Sequence, residues 1–437
     1  MKTSLVTTPF ATSPQRCIAW FVFAVLLLCA AASGQRTDVN YDEAKVGKYT
    51  LPDPLVLQNG ERVRDAAAWN KHRRPEILKL FESNVYGRSP GRSKGITFEQ
   101  FDLDKRALDG KAIRKQVTVY FTGKKKDGPK MDILLYLPAA ARKPVPVFLV
   151  PSFSGNYRIH SDPGIKLGEE WPRDKKMKVP GDESKRGTNT YFQVEKVLAG
   201  GYGLAVIYYC DIEPDFVGGI QFGVRPLFYQ PGQTAPAADE WGAIGAWAWG
   251  LSRALDYLET DKDVDARRVV LMGHSRLGKT ALWAGAQDAR FAVVIANGSG
   301  EGGAALSRRT YGETVKHLNT NFPHWFCGNY KQFSDHVDEL PVDQHMLLAL
   351  IAPRPVYLGC AEQDQWADPR GEFLSAVAAG PVYRLLGKQG LDTDQMPPQH
   401  QPIMHTIGFH YRAGKHEVTT YDWDQFLLFA EKHLGDR

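Results

Sequence analysis

Cysteine is scarce, with five residues in a chain of 437, at positions 17, 29, 210, 327 and 360. No C-x-x-C or H-E-x-x-H spacing occurs, so a structural or catalytic zinc site has no support and no metal is expected. Beyond the N-terminal segment, Cys210, Cys327 and Cys360 remain, an odd count that allows at most one bridge and excludes a disulfide scaffold. Long apolar runs are also nearly lacking. The one present, Cys17–Ala32, follows Lys2 and Arg16 and ends in Ala30-Ala31-Ala32-Ser33-Gly34. A basic start, a short apolar stretch and a small-residue end describe a secretory signal peptide over 1–34. The run is shorter than the ~20 residues a membrane span needs. An uncleaved anchor is the competing reading, and Leu28 before Cys29 argues against a lipoprotein. The mature chain is thus expected to be soluble, free of the membrane, and secreted or periplasmic. A dense basic block is absent as well: the net charge of +5 is spread along the chain. That argues against a nucleic-acid partner and suits an acidic substrate. There is no repeat, low-complexity tract or linker, so residues 35–437 are expected to form a single domain, a monomer without a cofactor.

What is present is globular composition, 43% hydrophobic and 24% charged, well away from disorder. The spacing predicts a helix over 64–82, then alternating strands and helices from about 115. Strands are expected at Gln116–Phe121, Ile133–Leu137, Val145–Val150, Leu204–Tyr209, Val269–Met272, Phe291–Ala296, Pro355–Leu358 and Thr406–His410. Helices are expected at 188–199, 240–259 (with Asp239 as N-cap), Leu277–Ala286, Gln344–Leu350, Gly371–Ala379 and Gln425–Leu434. Such alternation implies a mainly parallel sheet with helices on both faces, a three-layer α/β sandwich. Two long insertions interrupt it, near 151–187 and 211–238. The first is crowded with charge and reads either as a functional loop or as a solvated surface insertion. The second carries Phe228 and Tyr229 as exposed aromatics.

The sharpest local signal is Val269-Val270-Leu271-Met272-Gly273-His274-Ser275-Arg276-Leu277-Gly278-Lys279. A strand ending at a glycine, a serine, and a helix starting directly after it make a nucleophile elbow of the α/β-hydrolase type. The pattern departs from G-x-S-x-G, because Leu277 stands at the second glycine's place and Gly278 follows. A serine hydroxyl needs a base and an orienting acid. In this fold the acid follows a late strand and the histidine precedes the last helix. Asp364, after the strand ending at Cys360, and His416, in Gly414-Lys415-His416-Glu417, fall in those places. Asp368 and Glu362 compete with Asp364, whereas His400, His405 and His410 read as structural. An oxyanion hole would take the backbone N–H of Arg276 and a second donor from Pro151–Asn156. The Arg276 side chain could steady an oxyanion or meet a substrate carboxyl group. The plainer reading is a surface arginine bridged to Asp288 or Glu301.

At these residues the chain resembles the glucuronoyl esterases, their bacterial branch most. The resemblance is carried by Gly273–Lys279, by Asn297-Gly298-Ser299-Gly300-Glu301-Gly302-Gly303-Ala304 and by Ala361-Glu362-Gln363-Asp364-Gln365-Trp366-Ala367-Asp368-Pro369. Similar runs lie between Arg186-Gly187 and Asp211-Ile212-Glu213-Pro214-Asp215. The resemblance implies an α/β-hydrolase acting on an ester of 4-O-methyl-glucuronic acid, borne by xylan and joined to a lignin alcohol. It assigns Arg276 to the oxyanion hole, Lys279 and Glu313 to the ring hydroxyls of the uronic acid, and Trp366 to packing beside the sugar. One departure concerns the acid. Many members carry a glutamate where this chain has Gly298, and some bacterial relatives use an acid after the later strand, here Asp364. Competing readings are an acetylxylan esterase or other carboxylesterase, a serine peptidase, and a non-catalytic carbohydrate-binding protein.

Overall fold

The computed structural model describes residues 39–435, apart from 93–94, 124–127 and 143, together with residues 1, 2 and 4. The apolar run expected to be a signal segment, Cys17–Ala32, lies outside the described residues. Asn40–Arg437 is one compact unit.

Ten strands build the main sheet: β1 (Thr97–Arg106), β2 (Ala112–Tyr120), β3 (Lys130–Pro138), β4 (Val145–Ser152), β5 (Gly203–Tyr208), β6 (Val264–His274), β7 (Val293–Asn297), β8 (Val356–Ala361), β9 (Ile403–Met404) and β10 (Ile407–Arg412). Their order is β1-β2-β3-β5-β4-β6-β7-β8-β10-β9. The five central pairings, from β5/β4 through β8/β10, are parallel, and the flanking ones are antiparallel. The chain has the α/β-hydrolase fold.

The strand period of two sorts the apolar side chains into two cores. Leu149, Leu271 and Val294 face one layer, which holds the helices α1 (Arg74–Asn84), α2 (Ala243–Leu258), α3 (Arg276–Gln287), α4 (Gln344–Ile351) and α5 (Pro369–Leu385). Their neighbours Phe148, Val270 and Val293 face the other, closed by Val194–Ala199 and α6 (Thr420–Leu434). Trp423 of α6 is wholly buried there; truncating such a side chain costs about 3–5 kcal/mol.

Several expectations are corrected. Strand β1 went unseen because it is an edge strand held by backbone pairing to β2, with Phe101 and Leu103 exposed and charges blunting its rim. The helix expected over 188–199 begins only at Val194. The residues before it are held by tertiary contacts instead: the Asn189 amide donates to Ser154 Oγ, and its N–H to the Arg158 carbonyl. Helix α2 is capped by Gly242, because the Asp239 carboxylate is taken by Arg88 at 2.8 and 2.9 Å. The 151–187 insertion is not structureless: Glu169–Glu170 pairs with Val179–Pro180 as a short hairpin. Phe228 is half-buried against Trp241 and Trp249 rather than exposed. Cys210, Cys327 and Cys360 are all buried free thiols, so the bridge that their number allowed is absent.

Parallel strands deliver their loops to one edge. The C-terminal ends of β6, β7, β8 and β10 lead into Ser275, Gly298, Asp364 and His416 respectively.

Candidate active site

Strand β6 turns into α3 through Ser275, whose φ of 56° and ψ of −129° are a strained conformation for a non-glycine residue. The turn is so tight that a Cβ on Gly273 would lie 2.0 Å from the Leu277 carbonyl oxygen. A Cβ on Gly278 would lie 3.1 Å from the Ser299 Cβ. The second small residue is therefore needed at 278, not 277, where Leu277 turns fully into the core. This is the physical reason for the shifted glycine. The Ser275 N–H donates to the Asn297 carbonyl at 2.9 Å, locking the elbow to β7.

His416 stands over this elbow. Its Nδ1 is 2.5 Å from Asp364 Oδ2, and its ring lies 4.4 Å from that of His274, the residue before the serine. Asp364 is buried while His416 remains 39% exposed. Burial, followed by the neighbouring His416, pushes the His274 pKa down to about 3. His274 is therefore a neutral plate against which the His416 ring rests. Asn297 ties the two sides: its carbonyl receives Ser275, and its side-chain amide donates to the Glu417 carbonyl at 3.1 Å. Arg412 holds the Lys415 and Glu417 carbonyls at 3.2 and 2.6 Å, and Asp422 in turn grips Arg412 and His410. The loop is thus fastened on both sides of the imidazole. Among the described residues none accepts a hydrogen bond from the Ser275 hydroxyl. Bonds of that kind are commonly long in unliganded sites and tighten around substrate.

The competing acids sit elsewhere. Asp368 caps α5 and pairs with Arg309 at 2.7 Å. Glu362 is placed by its backbone N–H, which donates to the Arg412 carbonyl. Gly298 has a φ of +51°, and a Cβ there would lie 3.1 Å from Asp364 Oδ2 and 3.2 Å from His416 Nδ1. Position 298 and Asp364 thus address the same ring nitrogen from adjacent strand ends.

Arg276 pairs with Asp215, Nη1 to Oδ2 at 2.8 Å, and lies between the rings of Phe153 and Trp325 at 5.4 and 5.0 Å. The expected bridge to Asp288 or Glu301 is not made. Asp288 is engaged by Arg290, and Glu301 accepts from Ser307 and Tyr330. In the loop after β4, Ser154 and Gly155 direct their N–H groups to Ser152 Oγ and Glu170.

Lys279, one turn along α3 from the serine, donates from its buried Nζ to the Ser299 carbonyl at 2.6 Å and to Glu313 Oε2 at 3.3 Å. The Glu313 N–H donates to the Trp366 carbonyl at 2.9 Å, and the half-buried Trp366 ring lies 5.2 Å from that of His317. The three residues are therefore one contiguous group. Beneath it, Glu372 braces the Ser299 hydroxyl and the Gly300 N–H, and burial raises its pKa to about 7. Burial likewise raises Glu301 to about 8.

Sequence reasoning missed Asn297, Asp215, His324 and Trp325, which position the elbow and Arg276. Asn297 and Asp215 lie in runs that carry the family resemblance, yet nothing in a lone polar side chain tells which partner it will meet. Among the described residues, no group of three or more His, Cys, Asp or Glu is gathered as metal ligands. No helix among them is long and apolar enough to cross a membrane.

This arrangement can bind a planar acid derivative, attack it and neutralise the charge that develops. Known proteins with like sequences point the same way. Residues 233–387 match a family model for fungal glucuronyl esterases. Carbohydrate esterase MZ0003, from an unknown prokaryote, is 52% identical over 90% of this chain and 92% of its own length. A 4-O-methyl-glucuronoyl methylesterase of Schizophyllum commune is 25% identical over 84% of this chain and 81% of its own. The solved structure of a glucuronoyl esterase from Solibacter usitatus is 57% identical, covers 90% of this chain and 100% of its own, and superimposes with a TM-score of 0.87.

Proposed function

The chain belongs to the glucuronoyl esterase family, and from that premise we propose that Ser275, His416 and Asp364 cleave the ester that joins 4-O-methyl-glucuronic acid of glucuronoxylan to a lignin alcohol. It is a carboxylic ester hydrolase. His416, held in one tautomer by Asp364, takes the Ser275 proton as the hydroxyl attacks the uronate carbonyl. The carbonyl oxygen gains charge, which the Arg276 backbone N–H and guanidinium balance. The tetrahedral adduct collapses, His416 returns the proton to the departing alcohol oxygen, and an acyl-enzyme remains. Water, deprotonated by the same imidazole, then frees the uronic acid.

The observation that carries this reading is the 2.5 Å contact between His416 and Asp364 over a strained serine elbow. The Lys279–Glu313–Trp366 group beside it favours a sugar acid over a small acyl group, and so a glucuronate ester over an acetyl ester. Lys279 and Glu313 would meet ring hydroxyls, and Trp366 would lie along the apolar face of the pyranose. The signal-like segment at 1–34 supports action outside the cytoplasm, by a single catalytic domain over 35–437 that works as a monomer. The test is Ser275→Ala assayed on benzyl glucuronate and on acetyl esters. Hydrolysis should fall at least about 10⁴-fold with an unchanged circular dichroism spectrum. Retained turnover, or a wild-type preference for acetyl esters, would overturn the proposal.

A further inference from the structure

A guanidinium on a flexible stem acts on a transition state only if something else fixes it. We infer that Asp215 is the positioning residue that aims Arg276 at the reacting carbonyl, an inference that rests on the role proposed above for Arg276.

Asp215 has no exposed side-chain surface. Its Oδ2 accepts from Arg276 Nη1 at 2.8 Å, from the Tyr209 hydroxyl at 2.7 Å and from Arg173. Its Oδ1 accepts from Trp325 Nε1 at 2.7 Å and faces His324 Nε2 at 3.0 Å. Burial alone would raise the pKa of this carboxyl. The His324 hydrogen bond and the charges of Arg276 and Arg173 instead hold it well below the usual carboxylate range. It is a permanent anion, held from every side.

Two features make the arrangement more than packing. First, Asp215 takes only the Nη1 corner of the Arg276 fork, while Phe153 and Trp325 fix the guanidinium from ring contacts. Its Nε is buried without a partner, so it is the Nη2 group that is left for a ligand. Second, two guanidiniums share one carboxylate, so their cluster carries an unbalanced positive charge. A developing oxyanion supplies the missing negative charge, and supplies it only in the transition state. The hub also has reach. Arg173 belongs to the 151–187 insertion, Asp215 to the 211–238 insertion, and Arg276 to the nucleophile helix. One carboxylate therefore sets the mutual position of all three.

A positioning role predicts a loss in turnover rather than in substrate affinity. Asp215→Asn keeps the shape of the side chain but not its charge. It should lower kcat by about 10–100-fold, with KM within about threefold. Arg276→Met should lose at least as much. The double variant should be no worse than about twofold below Arg276→Met, because Asp215 has nothing left to aim. Losses that multiply in the double variant, or a kcat for Asp215→Asn within twofold of wild type, would overturn the inference. Should Asp215→Asn not fold, Arg276→Lys decides: it keeps the charge and loses the fixed fork. A tenfold or larger fall in kcat is expected, and a fall of less than twofold would refute the aiming role. A full kcat in Arg276→Met would instead topple the role of Arg276 itself, and so separates the two failures.

Discussion

Replacing Gly298 with alanine adds a single carbon, and the structure states what that carbon meets. It would lie 3.1 Å from Asp364 Oδ2, 3.2 Å from His416 Nδ1 and 3.3 Å from His416 Cε1, all tighter than ordinary contact. The carboxylate and the imidazole must therefore give way by a few tenths of an ångström. A 1 Å misplacement of catalytic groups costs about 10²-fold in rate, so this smaller shift should lower kcat about tenfold. The φ of +51° adds a backbone cost of about 1–2 kcal/mol for a residue with a Cβ. At ~2.1 cal/mol/K per residue, a chain of this length loses only about 2 °C in melting temperature for that cost. The assay is steady-state hydrolysis of benzyl glucuronate beside a thermal melt. The expected signature is a rate loss out of proportion to the change in stability. A melt lowered by several degrees with kcat within twofold of wild type would refute the argument that this glycine is kept to make room for the dyad.

Asp364→Asn should cost about 10³–10⁴ in kcat by releasing the imidazole tautomer, while Asp368→Asn should mainly destabilise, by about 1–3 kcal/mol, since it takes one of two carboxylates from the buried Arg309 and leaves it Glu43. Parallel kinetics and melts on the two variants check this, and the reverse pattern would exchange the acids. Adding Gly298→Glu to Asp364→Ala should recover part of the lost rate, because position 298 faces the same ring nitrogen. Lys279→Met should raise KM for glucuronate esters about tenfold with a smaller effect on kcat, read from Michaelis curves. Glu301, raised to about 8 from an ordinary 4.5, keeps its proton in the folded state across that window after the unfolded chain has released its own. Folding stability must then fall as pH rises from 4.5 to 8, by an upper bound of about 5 kcal/mol. Melting temperature should decline over that range, and Glu301→Gln should flatten the decline.

The parts of this protein that a reader of the chain could see are those governed by local periodicity. Val269–Lys279 announces strand, turn and helix in eleven consecutive residues, and the strand-helix alternation around it implies the sheet. That His416 and Asp364 would meet was legible, because parallel strands deliver their late loops to one edge of the sheet. What was hidden depends on partners far away in sequence. Strand β1 carries Phe98, Phe101 and Leu103 among charges with no clean alternation, since its order comes from pairing with β2. Asp239 has the chemistry of a cap, yet Arg88 claims it. Asp215 is an acid like its neighbours until folding brings Arg173, Arg276, His324 and Trp325 around it. Leu277 in place of glycine looked like a defect of the motif, and only the contact between Gly278 and Ser299 reveals it as a displacement.

The imidazole of His416 keeps 39% of its side-chain surface exposed above a buried Asp364. In the role proposed for it, a group so exposed has no need for a free chain end to be threaded inward. It can reach a side branch at any point along a long, stiff polymer lying across the surface, and the trimmed backbone can leave without being drawn back out.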